Sequence, residues 1–254
     1  MGRDNDMLGK VFALTGGASG IGLATARALH IRGASVAIAD VDQAALDEAS
    51  ELLGPQVEDR LLFTRIDVSK RRDVDSWIEA VVEKFGKLDG AANCAGIIGK
   101  HHGTRMVQEL DDEQWDLILA VNLTGMMYSL RAELAAMKGP GSIVCVGSIQ
   151  GTIGFAKHAA YSVSKHGLAG LVKSAAKEVG ERRIRVNNVT PGSVETPLMH
   201  KRNALEGVDM AVTSTPINRL ATAEECANVI AFLLSDESTF VTGATYAVDG
   251  GWAC

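Results

Sequence analysis

The sequence has few cysteines, and none of them lies close to another. Only four occur among 254 residues, namely Cys94, Cys145, Cys226 and Cys254. Disulfide frameworks and zinc sites usually show cysteines at paired spacings, which this chain lacks. We therefore expect four reduced thiols, no bound metal and a cytoplasmic location.

Long apolar runs and an excess of basic residues are missing as well. No run reaches the roughly 20 residues of a membrane-spanning helix, and the N-terminus MGRDNDMLGK lacks the apolar core of a secretory signal. Asp6 stands where an N-myristoylation signal has Ser or Thr. The net charge is −6, which does not favour binding to nucleic acid or to an anionic membrane. We expect neither as a partner.

Two kinds of apolar segment alternate from end to end, without a linker, a repeat or a low-complexity tract. Short apolar runs are typical of strands buried on both faces, and longer segments have helical periodicity. The predicted strands are residues 11–14, 36–39, 61–66, 88–92, 142–146, 184–189 and 245–248. The predicted helices after the first one are 43–53, 71–85, 113–137, 159–180 and 224–234. This order predicts one α/β domain over residues 1–254, a Rossmann-type doubly wound parallel sheet of about seven strands with helices on both faces.

A glycine-rich turn joins the first strand to the first helix. Residues 10–22 read KVFALTGGASGIG, with four glycines among residues 15–22. Backbone N–H groups and the dipole at a helix N-terminus bind the pyrophosphate of a dinucleotide. We expect Gly16 to make the tight turn, Gly20 to let the backbone approach the phosphates and Gly22 to let the helix pack on the strand. The spacing G-x-x-x-G-x-G is not the commonest one, so the alternative is a glycine-rich loop that binds nothing.

Tyr161 and Lys165 are four residues apart and share one face of a predicted helix. A free phenol has a pKa of about 10 and is a poor base, but a nearby ammonium lowers that pKa. Tyr161 is therefore the expected general acid and base. Ser148 lies thirteen residues earlier, past another strand, and is expected to hold the substrate oxygen. The alternative is an ordinary surface pair on a helix.

Several short segments lie in a fixed order at the ends of the predicted strands, namely residues 15–22, 67–68, 93–96, Asn122, Ser148, 161–165, 191–192, Thr196 and 249–251. Through these segments the sequence resembles the short-chain dehydrogenase/reductase family over essentially the whole chain. Cys94 stands where the family often has a second Asn, and we expect little consequence. The chain also resembles, within this family, fungal dehydrogenases of secondary metabolism.

The resemblance implies an NAD(H)-dependent oxidoreductase that interconverts a secondary alcohol and a ketone on a small organic molecule without needing a metal. The catalytic residues it implies are Ser148, Tyr161, Lys165 and Asn122, with Asn122 positioning a water that links Lys165 to solvent. The cofactor-binding residues it implies are Gly16, Ser19, Gly20, Ile21, Gly22, Asp40, Asp67, Val68, Asn93, Ala95, Gly96, Tyr161, Lys165, Pro191, Gly192, Val194 and Thr196. Family members pair their two long helices, so a homotetramer is expected, with a dimer as second choice. The rivals are an NADPH-dependent ketoreductase of the same fold and a non-catalytic dinucleotide-binding protein.

The choice of cofactor depends on Asp40, which ends the second predicted strand eighteen residues after Gly22. A carboxylate near this spacing accepts hydrogen bonds from the adenosine ribose, and it would repel the 2′-phosphate of NADP. Neither Gly17 nor Val41 is basic, and neither Arg32 nor Arg65 is an obvious phosphate clamp. We therefore predict NAD. The alternative makes Asp40 the N-cap of the next helix, in competition with Asp42.

Residues 197–215 interrupt the alternation of strands and helices. In the family this segment is a lid over the substrate, which excludes water when it closes. The lid's apolar residues, which we expect to face the pocket, are Met199, Leu205, Met210 and Val212.

Three histidines need a separate interpretation. His101 and His102 follow the 93–96 segment, and no acidic or thiol residue at a suitable spacing completes a metal site, so we expect a solvated loop. His158 precedes Tyr161 by three residues and is a candidate for the wall of the substrate pocket.

Overall fold

The computed structural model describes residues 5–54, 59–207 and 215–254. In this part of the chain, seven strands form one parallel sheet. The strands are β1 (Val11–Thr15), β2 (Ser35–Asp40), β3 (Leu61–Arg65), β4 (Gly90–Asn93), β5 (Gly141–Val146), β6 (Ile184–Pro191) and β7 (Thr245–Val248). The α-helices are α1 (Gly20–Ile31), α2 (Gln43–Leu53), α3 (Arg71–Phe85), α4 (Asp112–Leu119), α5 (Met126–Ala136), α6 (Ala159–Val179), α7 (Pro197–Glu206) and α8 (Ala223–Leu234).

The strand order is β3-β2-β1-β4-β5-β6-β7, which confirms the predicted doubly wound sheet of seven strands. The chain winds outward in one direction from β1 to β3 and in the other from β4 to β7. The winding reverses between β1 and β4, and ligands of such sheets bind in the crevice beyond the strand ends at this point. Within the described ranges, no helix combines the length and apolar content that crossing a bilayer requires.

Helices cover both faces of the sheet because side chains alternate along each strand. In β1, Val11 and Ala13 enter a core built with α3, α5 and α6, whereas Phe12 and Leu14 enter a core built with α1, α2 and α8. Every β1 residue is buried, as expected for a strand covered on both sides. The first helix therefore begins directly above a strand that is fixed from both faces.

Local capping sets where several helices begin and end. Thr222 and Glu225 form a reciprocal capping box at the start of α8, and Asp42 accepts two backbone N–H bonds at the start of α2. Gly86 adopts a left-handed conformation and ends α3. Asp42, and not Asp40, is thus the N-cap of α2, which leaves the Asp40 carboxylate available for other partners.

The predicted long helix over residues 113–137 is present, but it is not α-helical throughout. The α-helical hydrogen bonding stops at Leu119 and resumes at Met126, and Ala120–Gly125 between them forms a π-helical turn. Such wide turns are rare and often occur at functional sites. The apolar periodicity on which the prediction rested does not distinguish an α-helical turn from a π-helical one.

A buried carboxyl group lies beneath the crevice between β1 and β4. The hydroxyl of Thr15 donates to the side-chain oxygen of Asn93 at 3.1 Å, and the Asn93 amide donates to Oε2 of Glu133 on α5 at 2.9 Å. All three side chains are fully buried. Burial raises the pKa of Glu133 to about 8, so this carboxyl group is mostly protonated at neutral pH.

Glu133 should give the protein a specific pH dependence of stability. Its pKa is raised on folding, so the folded chain keeps a proton that the unfolded chain releases, and the free energy of unfolding should fall as the pH rises from about 4.5 to about 8. Glu133→Gln stays neutral and should flatten this dependence, as measured by urea unfolding between pH 5 and pH 8. Glu178→Gln, an exposed carboxylate on α6, should keep the wild-type slope. Equal slopes in wild type and Glu133→Gln would contradict the expectation.

Candidate active site

Tyr161, Ser148 and Lys165 line one cavity together with the glycine-rich turn. Tyr161 and Lys165 lie on the first two turns of α6, and Ser148 follows β5. The Lys165 ammonium nitrogen lies 5.6 Å from the centre of the Tyr161 ring, and Ser148 hydrogen bonds to the Tyr161 hydroxyl. The structure thus brings together the three side chains that the sequence singled out.

The expected lowering of the Tyr161 pKa does not occur within the chain itself. Burial raises the pKa of Tyr161 to about 12, and the hydrogen bond from Ser148 opposes this shift only in part. Lys165 is 3% exposed, and burial lowers its own pKa to about 8. Desolvation therefore acts against the charged form of both groups. The chain alone holds Tyr161 as a protonated phenol, which is a proton donor.

Lys165 is fixed by the sheet. Its ammonium group donates a hydrogen bond of 2.8 Å to the backbone carbonyl of Val146, the last residue of β5. Ser148 comes two residues later, where its hydroxyl accepts the backbone N–H of Gln150 at 3.1 Å. Because α6 is held against this strand end, Tyr161 lies one helical turn away from Lys165 and faces Ser148.

Asn122 lies in the π-helical turn and is fully buried. Its side-chain oxygen accepts the backbone N–H of Ile97 at 2.8 Å, and its amide donates to the Ile97 carbonyl at 2.8 Å and to Ser164 Oγ at 3.3 Å. The side chain therefore ties the segment after β4 to α6. Asn122 does not line the main cavity, although a Cβ placed at Gly96 would lie 3.5 Å from both Asn122 Oδ1 and Lys165 Nζ.

The glycine-rich turn fits a dinucleotide pyrophosphate. A Cβ on Gly22 would overlap the carbonyl oxygen of Gly16, so the turn and α1 can pack this closely only with glycine. Ser19 caps α1 without a side-chain hydrogen bond, and the first turn carries no acidic residue. The first N–H groups of the helix therefore meet neither a side-chain cap nor a repelling charge, as an anion site requires.

Asp40 also fits the position expected for it. Its carboxylate accepts the backbone N–H of Ala18 in the glycine-rich turn at 3.2 Å and that of Val41 at 2.8 Å. Arg65 lies nearer than the sequence indicated, because β3 pairs it with Asp40 and its guanidinium donates to the Val41 carbonyl at 3.0 Å. The Arg65 guanidinium therefore holds the backbone that follows Asp40 at this edge of the sheet.

Several predicted cofactor residues lie outside the main cavity. Its wall includes the predicted residues Gly16, Ser19, Gly20, Ile21, Gly22, Gly96, Ser148, Tyr161, Lys165, Pro191, Gly192, Val194 and Thr196. Asp40, Asp67, Val68, Asn93 and Ala95 are not part of that wall. Asn93 points into the core toward Glu133, and Asp67 accepts hydrogen bonds from the backbone and hydroxyl of Ser69. Asn93 thus links the end of β1 to α5 through its hydrogen bonds with Thr15 and Glu133.

The cavity wall also includes side chains that the sequence did not predict to lie there. They are Cys94, Ile98, His102, Gln150, Phe155, Arg202 and Trp252. Phe155 and Trp252 meet edge to face at 5.5 Å and form an aromatic wall from two distant segments. Burial raises the pKa of the Cys94 thiol to about 12, so this departure from the family pattern introduces no reactive thiolate. These residues come from distant segments and meet only through tertiary packing, so no local sequence pattern predicts their proximity.

The segment predicted as a lid begins with a helix. Helix α7 starts at Pro197 with Thr196 as its N-cap, and its residues Leu198, Met199 and Arg202 line the cavity. Met199 therefore faces the pocket as predicted, whereas Leu205 is not part of the cavity wall. Met210 and Val212 lie outside the described residues.

The prediction of a solvated loop was wrong for His102, which is 4% exposed. The sequence spacing offered no acidic partner, but in the fold Glu206 at the end of α7 approaches both His102 and His158. His158 lines a small cavity behind Tyr161 and is not part of the main cavity wall. A sequence separation of 48 residues between His158 and Glu206 concealed this contact.

Known proteins match this chain over nearly their whole length. A family model described as enoyl-(acyl carrier protein) reductase matches residues 16–253. The chain is 52% identical over 249 residues to the short-chain dehydrogenase/reductase ABA4 of Pyricularia oryzae, covering 97% of this chain and 93% of that protein. It is 38% identical over 254 residues to the cyclohexanol dehydrogenase of an Acinetobacter species, covering 98% and 96%. The crystal structure of levodione reductase matches with a TM-score of 0.89 at 31% identity, covering 97% and 98%. The chain therefore belongs to the short-chain dehydrogenase/reductase family and is an oxidoreductase.

Proposed function

We propose that the chain is an NAD(H)-dependent enzyme that interconverts a secondary alcohol and a ketone, with Tyr161 as the acid and base. The observation that carries this proposal is the shared cavity wall of Tyr161, Ser148, Lys165 and the glycine-rich turn. A protein that only bound a dinucleotide would have no use for a buried phenol, hydroxyl and ammonium at this place. A relative named cyclohexanol dehydrogenase supports a secondary alcohol on a ring as the first substrate class to test.

Each side chain has a separate task in this proposal. The bound nicotinamide supplies the hydride acceptor or donor. In the reductive direction, Tyr161 gives its phenolic proton to the carbonyl oxygen, for which a protonated phenol is ready. In the oxidative direction it takes the alcohol proton, and positive charge at Lys165 then stabilises the phenolate. The hydroxyl of Ser148 holds the substrate oxygen in both directions.

Other residues around these three side chains bind the cofactor and cover the substrate. The turn before α1 and its free N–H groups bind the pyrophosphate, and Asp40 accepts the ribose hydroxyls. We propose residues 197–215 as the lid, with α7 supplying Leu198 and Met199 to the cavity. Closure of this segment over the substrate excludes water from the transferred proton and hydride.

Tyr161→Phe tests the chemistry. The substitution removes only the hydroxyl, so the fold and dinucleotide binding should remain while kcat falls by at least ~10²-fold. The assay follows NAD+ reduction in a screen that begins with cyclohexanol and extends to steroid, terpenoid, indole-alkaloid, sugar and aryl alcohols. Tyr128→Phe, on half-buried Tyr128 of α5, is the matched control and should keep wild-type turnover. Substantial turnover by Tyr161→Phe would show that another group transfers the proton.

The cofactor preference tests the role of Asp40. The wild type should prefer NAD over NADP by at least ~10²-fold in kcat/KM, roughly 2.7 kcal/mol, because the carboxylate repels a 2′-phosphate. An Asp40→Ala, Val41→Arg double variant should lose or reverse this preference, since Arg65 already lies beside the site. Adding Arg65→Gln to the double variant should restore part of the preference for NAD. Equal use of both cofactors by wild type would mean that Asp40 does not face the ribose.

We also propose a homotetramer, with a dimer as second choice. Exposed apolar side chains on the two long helical segments and before β7 support this assembly, among them Leu117, Val163 and Phe240. Light scattering should give ~107 kDa at micromolar concentration, which is four times the chain mass of 26.8 kDa. A mass of one chain would end this proposal without affecting the proposed reaction.

A further inference from the structure

Three side chains from distant parts of the chain meet beside Tyr161. His102 lies in the segment after β4, His158 directly precedes α6, and Glu206 ends α7. One ligand atom from each lies within 4.8 Å of the other two. The ring of His102 meets that of His158 at 4.1 Å and that of Tyr161 at 5.3 Å, both edge to face.

The hydrogen bonds of His158 show which of its ring nitrogens carries the proton. Its Nδ1 lies 2.7 Å from the backbone carbonyl of Ala156, which can only accept, so Nδ1 carries the proton. Nε2 lies 3.2 Å from Oε1 of Glu206, and Arg202 holds the pKa of that carboxyl below its usual range. In a neutral ring, Nε2 is an acceptor facing another acceptor. A cation must therefore lie between them, either a second proton on the ring or a metal ion.

His102 favours the metal ion over the proton. Within the described residues, no hydrogen bond reaches either of its ring nitrogens, although the side chain is almost completely buried. In its neutral form the His102 ring has one nitrogen with an available lone pair. A proton shared by His158 and Glu206 would leave that lone pair without a protein partner. A metal ion would be coordinated by that lone pair of His102.

The spacing between His158 and Glu206 also fits a metal ion. Bonds of about 2.0–2.1 Å from zinc to nitrogen or oxygen place tetrahedral ligands about 3.3 Å apart, close to the 3.2 Å between His158 Nε2 and Glu206 Oε1. Metal-bound histidines usually donate their other N–H to a carboxylate or a backbone carbonyl, as His158 does to Ala156. At Gly103 a Cβ would lie 2.6 Å from Glu206 Oε1, so the loop beside His102 leaves room for the carboxylate only because it has glycine there.

Arg202 is the neighbouring group that opposes a metal ion. Its Nε donates to Glu206 Oε1 and its terminal nitrogen to Oε2, each at 3.0 Å. A carboxylate oxygen has two lone pairs, so Oε1 keeps one for the side that faces His158. The bridge from Arg202 also holds the carboxylate in one orientation, as hydrogen bonds to metal-ligating carboxylates do.

We propose that His102, His158 and Glu206 form a three-ligand site for Zn²⁺ with a fourth position open to water or to a substrate oxygen. Two imidazoles and one carboxylate are a donor set that zinc prefers, and three protein ligands with an open position are typical of reactive zinc sites. Bound zinc would fasten α7 to the segment after β4 and to the start of α6. It would therefore hold α7 in place at the edge of the active site.

The test is zinc binding by tag-free protein that has been stripped with a chelator and dialysed. Calorimetric titration with Zn²⁺ should show one site per chain in wild type. His102→Ala and Glu206→Gln should each weaken binding by at least ~10-fold. His101→Ala removes the adjacent histidine, which is not a ligand here, and should bind as wild type does. Circular dichroism and melting curves without metal establish that each variant is folded.

A second measurement needs no variant. Co²⁺ titrated into wild type should give the intense visible absorption bands of a tetrahedral site, and Zn²⁺ should remove them. Absence of these bands, absence of stoichiometric zinc binding, or an equal loss in His101→Ala and His102→Ala would overturn the proposal. A doubly protonated His158 at neutral pH in the presence of Zn²⁺, observed by nitrogen-15 NMR, would overturn it in favour of a simple ion pair. None of these readouts depends on turnover, so the proposed reaction stands or falls separately.

Discussion

The site depends on one buried hydrogen bond, from the ammonium group of Lys165 to the carbonyl of Val146. Burying an ammonium group is costly, and the lowered pKa of Lys165 expresses that cost. The bond fixes α6 against the end of β5, and two features of the site follow. Tyr161 stands one turn away on the same helix face, and Ser148 stands two residues beyond the bonded carbonyl. Helix pitch and strand ending therefore set the distance between the two hydroxyls.

Much of this arrangement could be predicted from the sequence, because it depends on local patterns. The apolar runs predicted all seven strands, and the i, i+4 spacing placed Tyr161 and Lys165 on one face of α6. The glycines predicted the turn before α1, where a Cβ on Gly22 finds no room. Such features are decided by steric fit and hydrophobic periodicity within a few residues, and both can be read along the chain.

Other features depend on contacts between distant segments or on balances of energy, and these could not be predicted. The direction of the Tyr161 pKa shift follows from how deeply the phenol is buried, which no spacing reveals. Arg65 reaches the neighbourhood of Asp40 only through the register of β2 and β3. The contact of Glu206 with two histidines requires the path of α7 over the site. In each case the residues were visible in the sequence and their proximity was not.

The π-helical turn at Ala120–Gly125 has a geometric consequence for the whole helical segment. One additional residue in a turn rotates every following side chain by about 100° around the axis, since each residue of an α-helix occupies that angle. Helix α4 can thus lie against α6 while α5 directs Met126 and Leu130 into the core with α3. Deleting one residue of the turn would restore regular hydrogen bonding but put the two halves out of phase. Asn122, at the point of rotation, would then lose its alignment with Ile97, so the irregularity is what lets one helical segment serve both the core and the site.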